Sequence, residues 1–349
     1  MAKVLYLFSF SSKEAKIREM IINDRVYGEI EVEEPILLEI MHSEPVLRLE
    51  DIGQFAPTRY FYYPFRGFQS KEHCVGVMIL LGRLGASLEE QIGGEIHDVP
   101  HYAFRHLTEW ALGDRKEDLH DSRLHEVILS SEIPGILKKY DIPLELVLEI
   151  DGFPLLEQPT PKLCADRVDY ALREIAFLHD ESLAQELAHH VINYENQICF
   201  DTKEHARTFG DFFLKLQSEH WANPRAMVSW ELLAMALKSA LDEGAISEED
   251  LTKTDSHLAN ALRSSESEKV QEYIRTLDRM SSKGYELKES LVNPQFKAMK
   301  KFRHVDPTYV EDGKVYTLTE TDPEYRKSLE WHRSANARGI SVDLIGYGS

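Results

Sequence analysis

Three imidazoles and a carboxylate crowd into ten residues, His97-Asp98-Val99-Pro100-His101-Tyr102-Ala103-Phe104-Arg105-His106. No other stretch constrains the fold as strongly. A buried imidazole must find a partner or bear the cost of desolvation, so the chain has to close around this segment in a way that uses it. Pro100 lacks a backbone donor and ends any helix that reaches it. The chain then turns, which can bring His101 and His106 back toward His97. Histidine and aspartate ligate hard or borderline divalent cations. The segment therefore predicts a metal centre, with spare histidines beside it for acid–base work.

The His-Asp pair alone is weak evidence, because it occurs three times: His97-Asp98, His120-Asp121 and His179-Asp180. His120-Asp121 follows a charged run and reads as a solvated loop. His179-Asp180 ends a helical stretch, where an imidazole suits the C-terminal dipole. Context selects the first pair.

Composition narrows the partners. The formal net charge is −20, from 60 acids against 40 bases in 349 residues. Such a surface repels nucleic-acid backbone and anionic membrane, so neither is an expected partner. Cys74, Cys164 and Cys199 lie far apart without CxxC spacing, which argues for a reducing, cytoplasmic setting. No run of ~20 apolar residues predicts a membrane span. The apolar Ala2–Phe10 stretch reads as a strand or packed arm.

Along the chain, Ser11 with Glu14 resembles a capping box. Val26–Val32 alternates like a strand or hairpin. Residues 35–52 carry apolar residues at helical spacing, broken at Pro45. Thr58–Gln69 is an aromatic loop with Arg59 and Arg66, expected as a packed loop or as a lip over a pocket. Helices are expected over 72–84, 87–98, 104–112 and 124–133, and from Pro161 onward. Residues 178–245 read as largely helical, and 248–282 as a charged helical pair. Residues 313–318 and 340–345 read as strands. The expected organisation is an N-terminal arm and leading helix (1–60), a metal-binding core (61–185) and a helical extension with a small α/β part (186–349). Asp166, Asp169, Tyr170 and Arg173 fall at i, i+3, i+4 and i+7, so they share one helix face, a set that suits metal and phosphate.

Taken together, these residues resemble the HD phosphohydrolase superfamily. The order His73, His97-Asp98, Asp166 matches its H…HD…D pattern. The stretch His97–His106 is similar to the HDxGHxPFSH segment of the deoxynucleoside triphosphate triphosphohydrolase branch. Arg48-Leu49 with Gln54 resembles that branch's RL…Q, and His125-Glu126 its later HE. Val305-Asp306-Pro307 and Asp322-Pro323-Glu324-Tyr325 resemble its VDP and DPEF turns.

The resemblance implies a mostly α fold: an HD-domain helical core, a helical C-terminal extension and small β elements near the termini. It implies one divalent metal (Mn, Mg, Fe, Co, Ni or Zn) on His73, His97, Asp98 and Asp166. It implies acid–base histidines at His101, His106 and His125, a sugar contact at Gln54, and phosphate or sugar contacts at Tyr170 and Arg173. Lys71, Arg66 and Arg167 complete the expected phosphate cations. Three departures stand out. The family's arginine three residues before the first metal histidine is Ser70, its HDxGH glycine is Pro100, and the proline and serine of PFSH are Ala103 and Arg105. The expected function is metal-dependent cleavage of a phosphate ester or anhydride of a nucleotide or nucleotide-like metabolite, dNTP triphosphohydrolysis included, by a homo-oligomer. The alternatives are a di-iron HD-type oxygenase and a nucleotide-binding regulator with weakened turnover.

Overall fold

The structure is a computed structural model, and it describes residues 20–55, 59–65, 67–281 and 285–346. The expected N-terminal arm, the Ser11 cap and Arg66 lie outside the described residues. The fold is mostly α, with small sheets. It opens with the hairpin β1 (Met20–Asp24) and β2 (Gly28–Val32). Then come α1 (Pro35–Met41), α2 (Glu44–Arg48), α3 (Ser70–Arg83), α4 (Leu88–Ile96), α5 (His106–Ala111), α6 (Leu124–Leu129), α7 (Ile133–Lys139), α8 (Leu144–Leu148), α9 (Ala165–Leu178) and α10 (Glu181–His189). A hairpin follows, β3 (Val191–Tyr194) and β4 (Gln197–Phe200). Next are α11 (Lys203–Leu216), a π-helical turn at Gln217–Trp221, α12 (Pro224–Asp242), α13 (Glu248–Leu251), α14 (Asp255–Ser264) and α15 (Glu268–Ser281). The chain ends with β5 (Tyr285–Glu289), β6 (Phe296–Ala298), β7 (Thr308–Glu311), β8 (Lys314–Thr317), α16 (Leu318–Thr321), α17 (Pro323–Asn336) and β9 (Ile340–Gly346).

Helix α3 is the axis of the fold. Nearly its whole surface is buried, including His73, Cys74, Val77 and Leu81, as befits a helix packed on every side. It lies against both α4 and α9. Ser87 caps α4 by accepting from the Glu90 amide. The approach of α9 is close enough to require glycine at position 76. A Cβ there would sit 1.8 Å from Arg173 Nη2 and 2.2 Å from Asp169 Oδ1. Gly76→Ala is therefore expected to destabilise the protein by about 1–3 kcal/mol from overpacking alone, more if the Arg173 ion pairs are lost. Denaturant unfolding of the variant checks this, and unchanged stability would contradict it.

Several expected boundaries move. The helix from Leu124 stops at Leu129, and Pro134 opens α7 instead of closing α6. Pro161 precedes α9, whose first residue is Ala165. The stretch read as continuous helix after Leu178 is interrupted by the β3–β4 hairpin, which joins the later strands in the order β3-β4-β7-β8. Strands β5, β9 and β6 form a separate antiparallel sheet. Among the described residues no helix is long and apolar enough to cross a membrane.

Candidate metal centre and cavity

Three helices bring the expected ligand residues together. His73 projects from the first turn of α3, His97 stands at the C-terminal end of α4 with Asp98 following, and Asp166 sits in the first turn of α9. His73 Nε2 is 3.0 Å from Asp166 Oδ1 and 3.7 Å from Asp98 Oδ2. His97 Nε2 is 3.6 Å from both Asp98 Oδ1 and Asp166 Oδ1.

The outer nitrogens are already committed. His73 Nδ1 donates to Asp169 Oδ2 at 2.7 Å, and His97 Nδ1 donates to the Gly94 carbonyl at 2.7 Å. These bonds fix the tautomers and turn both Nε2 lone pairs inward, as the supporting contacts of metal-bound histidines do. His97 Nε2 is buried and has no hydrogen-bond partner among the described residues. Electron-rich atoms facing one another at this range need protons or a cation between them. Without a cation, protons take that place. Burial opposes charge on His97, yet Asp98 and Asp166 push its pKa up to about 9. Burial likewise opposes charge on His73, and Asp166 and Asp169 outweigh it. The residues fit a divalent cation.

The loop that turns Asp98 into the site is pinned from outside. Arg48 Nη2 donates to the Val99 and His101 carbonyls at 2.8 and 2.7 Å. Asp255 accepts from the Phe104 amide at 2.7 Å and the Gly53 amide at 2.9 Å.

The α9 residues expected on one face are in fact divided. Asp166, Tyr170 and Glu174 line a cavity of about 580 Å3. Asp169 and Arg173 turn away into a buried ion-pair network. Arg173 Nε bonds Asp169 Oδ2 at 2.8 Å, Nη2 bonds Asp24 at 2.8 Å and Nη1 bonds Glu72 at 3.0 Å. Arg173 is thus placed to hold Asp169, which holds His73. Lys71 is also outside the cavity lining, buried and bonded to Glu50 at 2.7 Å. Of the expected cations Arg167 does line the cavity, together with Arg105, Lys301 and Arg303. Gln54 lines it too, with Nε2 3.4 Å from Asp98 Oδ2. Phe55, Tyr170, Trp221 and Phe302 supply flat faces. Trp221 ends the π-helical turn, a geometry that recurs at functional sites.

A second cluster adjoins the first. Glu109, fully buried, accepts from His106 Nδ1 at 2.9 Å and from His120 Nδ1 at 2.7 Å. His101 stacks on His120 with ring centroids 3.7 Å apart, and its Nε2 lies 3.2 Å from Asp98 Oδ1. The expectation that His120-Asp121 is a solvated loop is therefore corrected: His120 is half-buried in this cluster. His125 lines the outer cavity and is exposed. Burial lowers His106 to about 4 and keeps His101 well below its usual value, so both are neutral. Burial alone would raise the Glu109 carboxyl, but its hydrogen bonds from His106 and His120 carry it well below the usual range.

The segment Lys301–His304 reaches the cavity through a buried anchor. Glu117 pairs with Lys300 Nζ at 2.5 Å and also with Arg303. Burial opposes charge on Glu117, but Lys300 and Arg303 hold its carboxyl well below its ordinary 4.5. A carboxylate with a depressed folded-state pKa stabilises the fold fully above the unfolded pKa and loses that contribution as pH falls. Glu117→Gln should therefore cost about 3–5 kcal/mol near neutral pH, the range for breaking a buried pair. The gap from the parent should narrow as pH falls below 4.5. Urea unfolding at several pH values tests this, and a gap independent of pH would contradict it.

No protein-family model matches the chain. It is 34% identical over 332 residues to the uncharacterized protein YdhJ of Bacillus subtilis, covering 93% of this chain and 99% of that one. It is 29% identical to the metal-dependent phosphohydrolase cns2 of Cordyceps militaris, covering 82% and 84%. A shorter match, 32% identical over 102 residues, links 25% of the chain to 17% of the bovine deoxynucleoside triphosphate triphosphohydrolase SAMHD1. In fold it is similar to a phosphohydrolase from Bacteroides thetaiotaomicron, with TM-score 0.64, 15% identity, and coverage of 87% of this chain and 94% of that one.

Proposed function

The chain belongs to the HD-type metal-dependent phosphohydrolases, and on that premise we propose that it cleaves a phosphate ester or anhydride of a nucleotide or nucleotide-like metabolite. One observation carries the reading. The inward Nε2 atoms of His73 and His97 and the carboxylates of Asp98 and Asp166 meet where a cavity joins Arg105, Arg167 and Arg303 to the flat faces of Tyr170 and Trp221. His73, His97, Asp98 and Asp166 hold the divalent cation in this reading, whose chemistry is to polarise a phosphoryl oxygen and lower the pKa of bound water. His106 and His120, oriented by Glu109, sit beside that site as proton carriers. The arginines offset charge on the phosphoryl oxygens. Helix α9 spaces the parts: Asp166 and Glu174 are eight residues apart, about 12 Å along the axis, with Tyr170 between them.

The cavity also carries Glu117, Asp118, Asp121, Glu149, Asp151 and Glu157, and the chain is strongly acidic. These charges disfavour a long polyphosphate. Mono- or diphosphates should therefore compete well with triphosphates. Steady-state kinetics on one nucleoside as mono-, di- and triphosphate, with products identified, is the test. A kcat/KM preference for the triphosphate beyond about a hundredfold, roughly 2.7 kcal/mol, with tripolyphosphate released, would restore plain triphosphohydrolysis. One observation favours a second reading, a dinuclear centre: ligand atoms of His101, His106, Glu109 and His120 lie within 4.8 Å of one another. Two bound metals per chain would support it.

A further inference from the structure

We propose that Arg105 binds the substrate's phosphoryl group, as the cation set directly against the metal ligands. This rests on the phosphohydrolase reading above. Arg105 is only 5% exposed and lines the cavity. Its Nη1 and Nη2 fork onto Asp98 at 2.5 and 3.1 Å. Nη1 also reaches Gln54 Oε1 at 3.2 Å and Ser70 Oγ at 3.0 Å. Nε–H is buried with no acceptor among the described residues, and Nη2 donates to Asp98 Oδ1. Nε–H and the second N–H of Nη2 share one edge of the guanidinium, and that edge matches two phosphoryl oxygens.

The backbone is shaped to deliver this side chain. Phe104 and Arg105 are consecutive non-glycine residues with φ of 62° and 49°, a strain that persists where surrounding structure enforces it and that concentrates at functional sites. Here the Asp255 carboxylate and the Leu251 carbonyl hold the adjoining amides. Asp98 has other neighbours besides Arg105, since His97 Nε2 lies 3.6 Å and His101 Nε2 3.2 Å from its Oδ1. The contact with Ser70 adds meaning to the two departures from the family pattern. Position 70, where the pattern has arginine, is serine; position 105, where it has serine, is arginine. The two side chains touch, so the guanidinium reaches one place from the opposite wall.

The test compares the full-length parent with Arg105→Ser, Arg105→Lys and the double variant Ser70→Arg/Arg105→Ser. All are loaded with Mn2+ and assayed for metal content, for inorganic phosphate binding by calorimetry, and for kcat/KM on nucleotides. Arg105→Ser should keep its metal, bind phosphate at least tenfold more weakly and lose about a hundredfold in kcat/KM. Lysine should recover only part, since it restores charge without the fork. The double variant should recover at least tenfold in both readouts over Arg105→Ser. Parental phosphate binding by Arg105→Ser, metal loss matching its activity loss, or no rescue by the double variant would each overturn the assignment. Phosphate binding lost on Arg105→Ser in a parent that hydrolyses no nucleotide would instead count against the hydrolase reading and leave the role of Arg105 standing.

Discussion

His97→Ala and Asp98→Ala will each leave the purified protein without its metal and without phosphate release. The His97 imidazole has one nitrogen committed to Gly94 and the other facing the carboxylates, so its removal takes away one of the four proposed ligands. Asp98 stands between His73, His101 and Arg105. Its loss removes a ligand and leaves the Arg105 charge buried without its partner. Both imidazoles must be neutral to ligate, so metal binding releases protons and tightens as pH rises. Metal analysis after dialysis decides the matter, with His179→Ala as control, an exposed residue whose ring rests on Phe212. Full occupancy in either variant would remove these residues from the ligand set.

His106→Ala and His120→Ala should keep the metal and lose roughly 10²–10⁴-fold in turnover, the usual worth of acid–base catalysis. Both bond the same buried carboxylate, Glu109, through Nδ1, so Nε2 is the nitrogen left to exchange a proton; on His120 it stands 3.1 Å from Asp121 Oδ1. His125 is exposed on the rim, so His125→Ala should cost far less. Single-turnover rates of metal-loaded variants separate these outcomes. A larger loss for His125 than for His120 would return the catalytic role to His125. Loss of half the metal on His106→Ala would favour the dinuclear reading.

The four candidate ligand residues could be picked out because each lies in a short local pattern, and the ends of α3, α4 and α9 bring them together. The division of α9 was harder to see. At 3.6 residues per turn, Asp169 and Glu174 stand about 140° apart, and Asp166 and Tyr170 lie between them. Periodicity groups such residues without saying where the cavity ends and the packing against α3 begins, so Arg173 read as a substrate contact and Glu174 was passed over. The β3–β4 hairpin did leave a signal, since Glu195-Asn196, both with positive φ, separate two short β-prone runs. It was masked by the helical residues on either side. His120 could not be separated from its charged neighbours because Glu109 reaches it across a loop. Arg303 and Lys301 arrive through an ion pair with Glu117, which is 186 residues from Arg303, a contact no local pattern encodes.

The central claim is that the two histidines and two aspartates make phosphate release depend on a bound divalent metal. Stripping the protein with chelator and titrating Mn2+ back while following phosphate release from a nucleotide tests this most directly. Activity should be absent in the stripped protein and rise in proportion to metal bound, saturating near one equivalent per chain. Phosphate release that survives complete metal removal would contradict it.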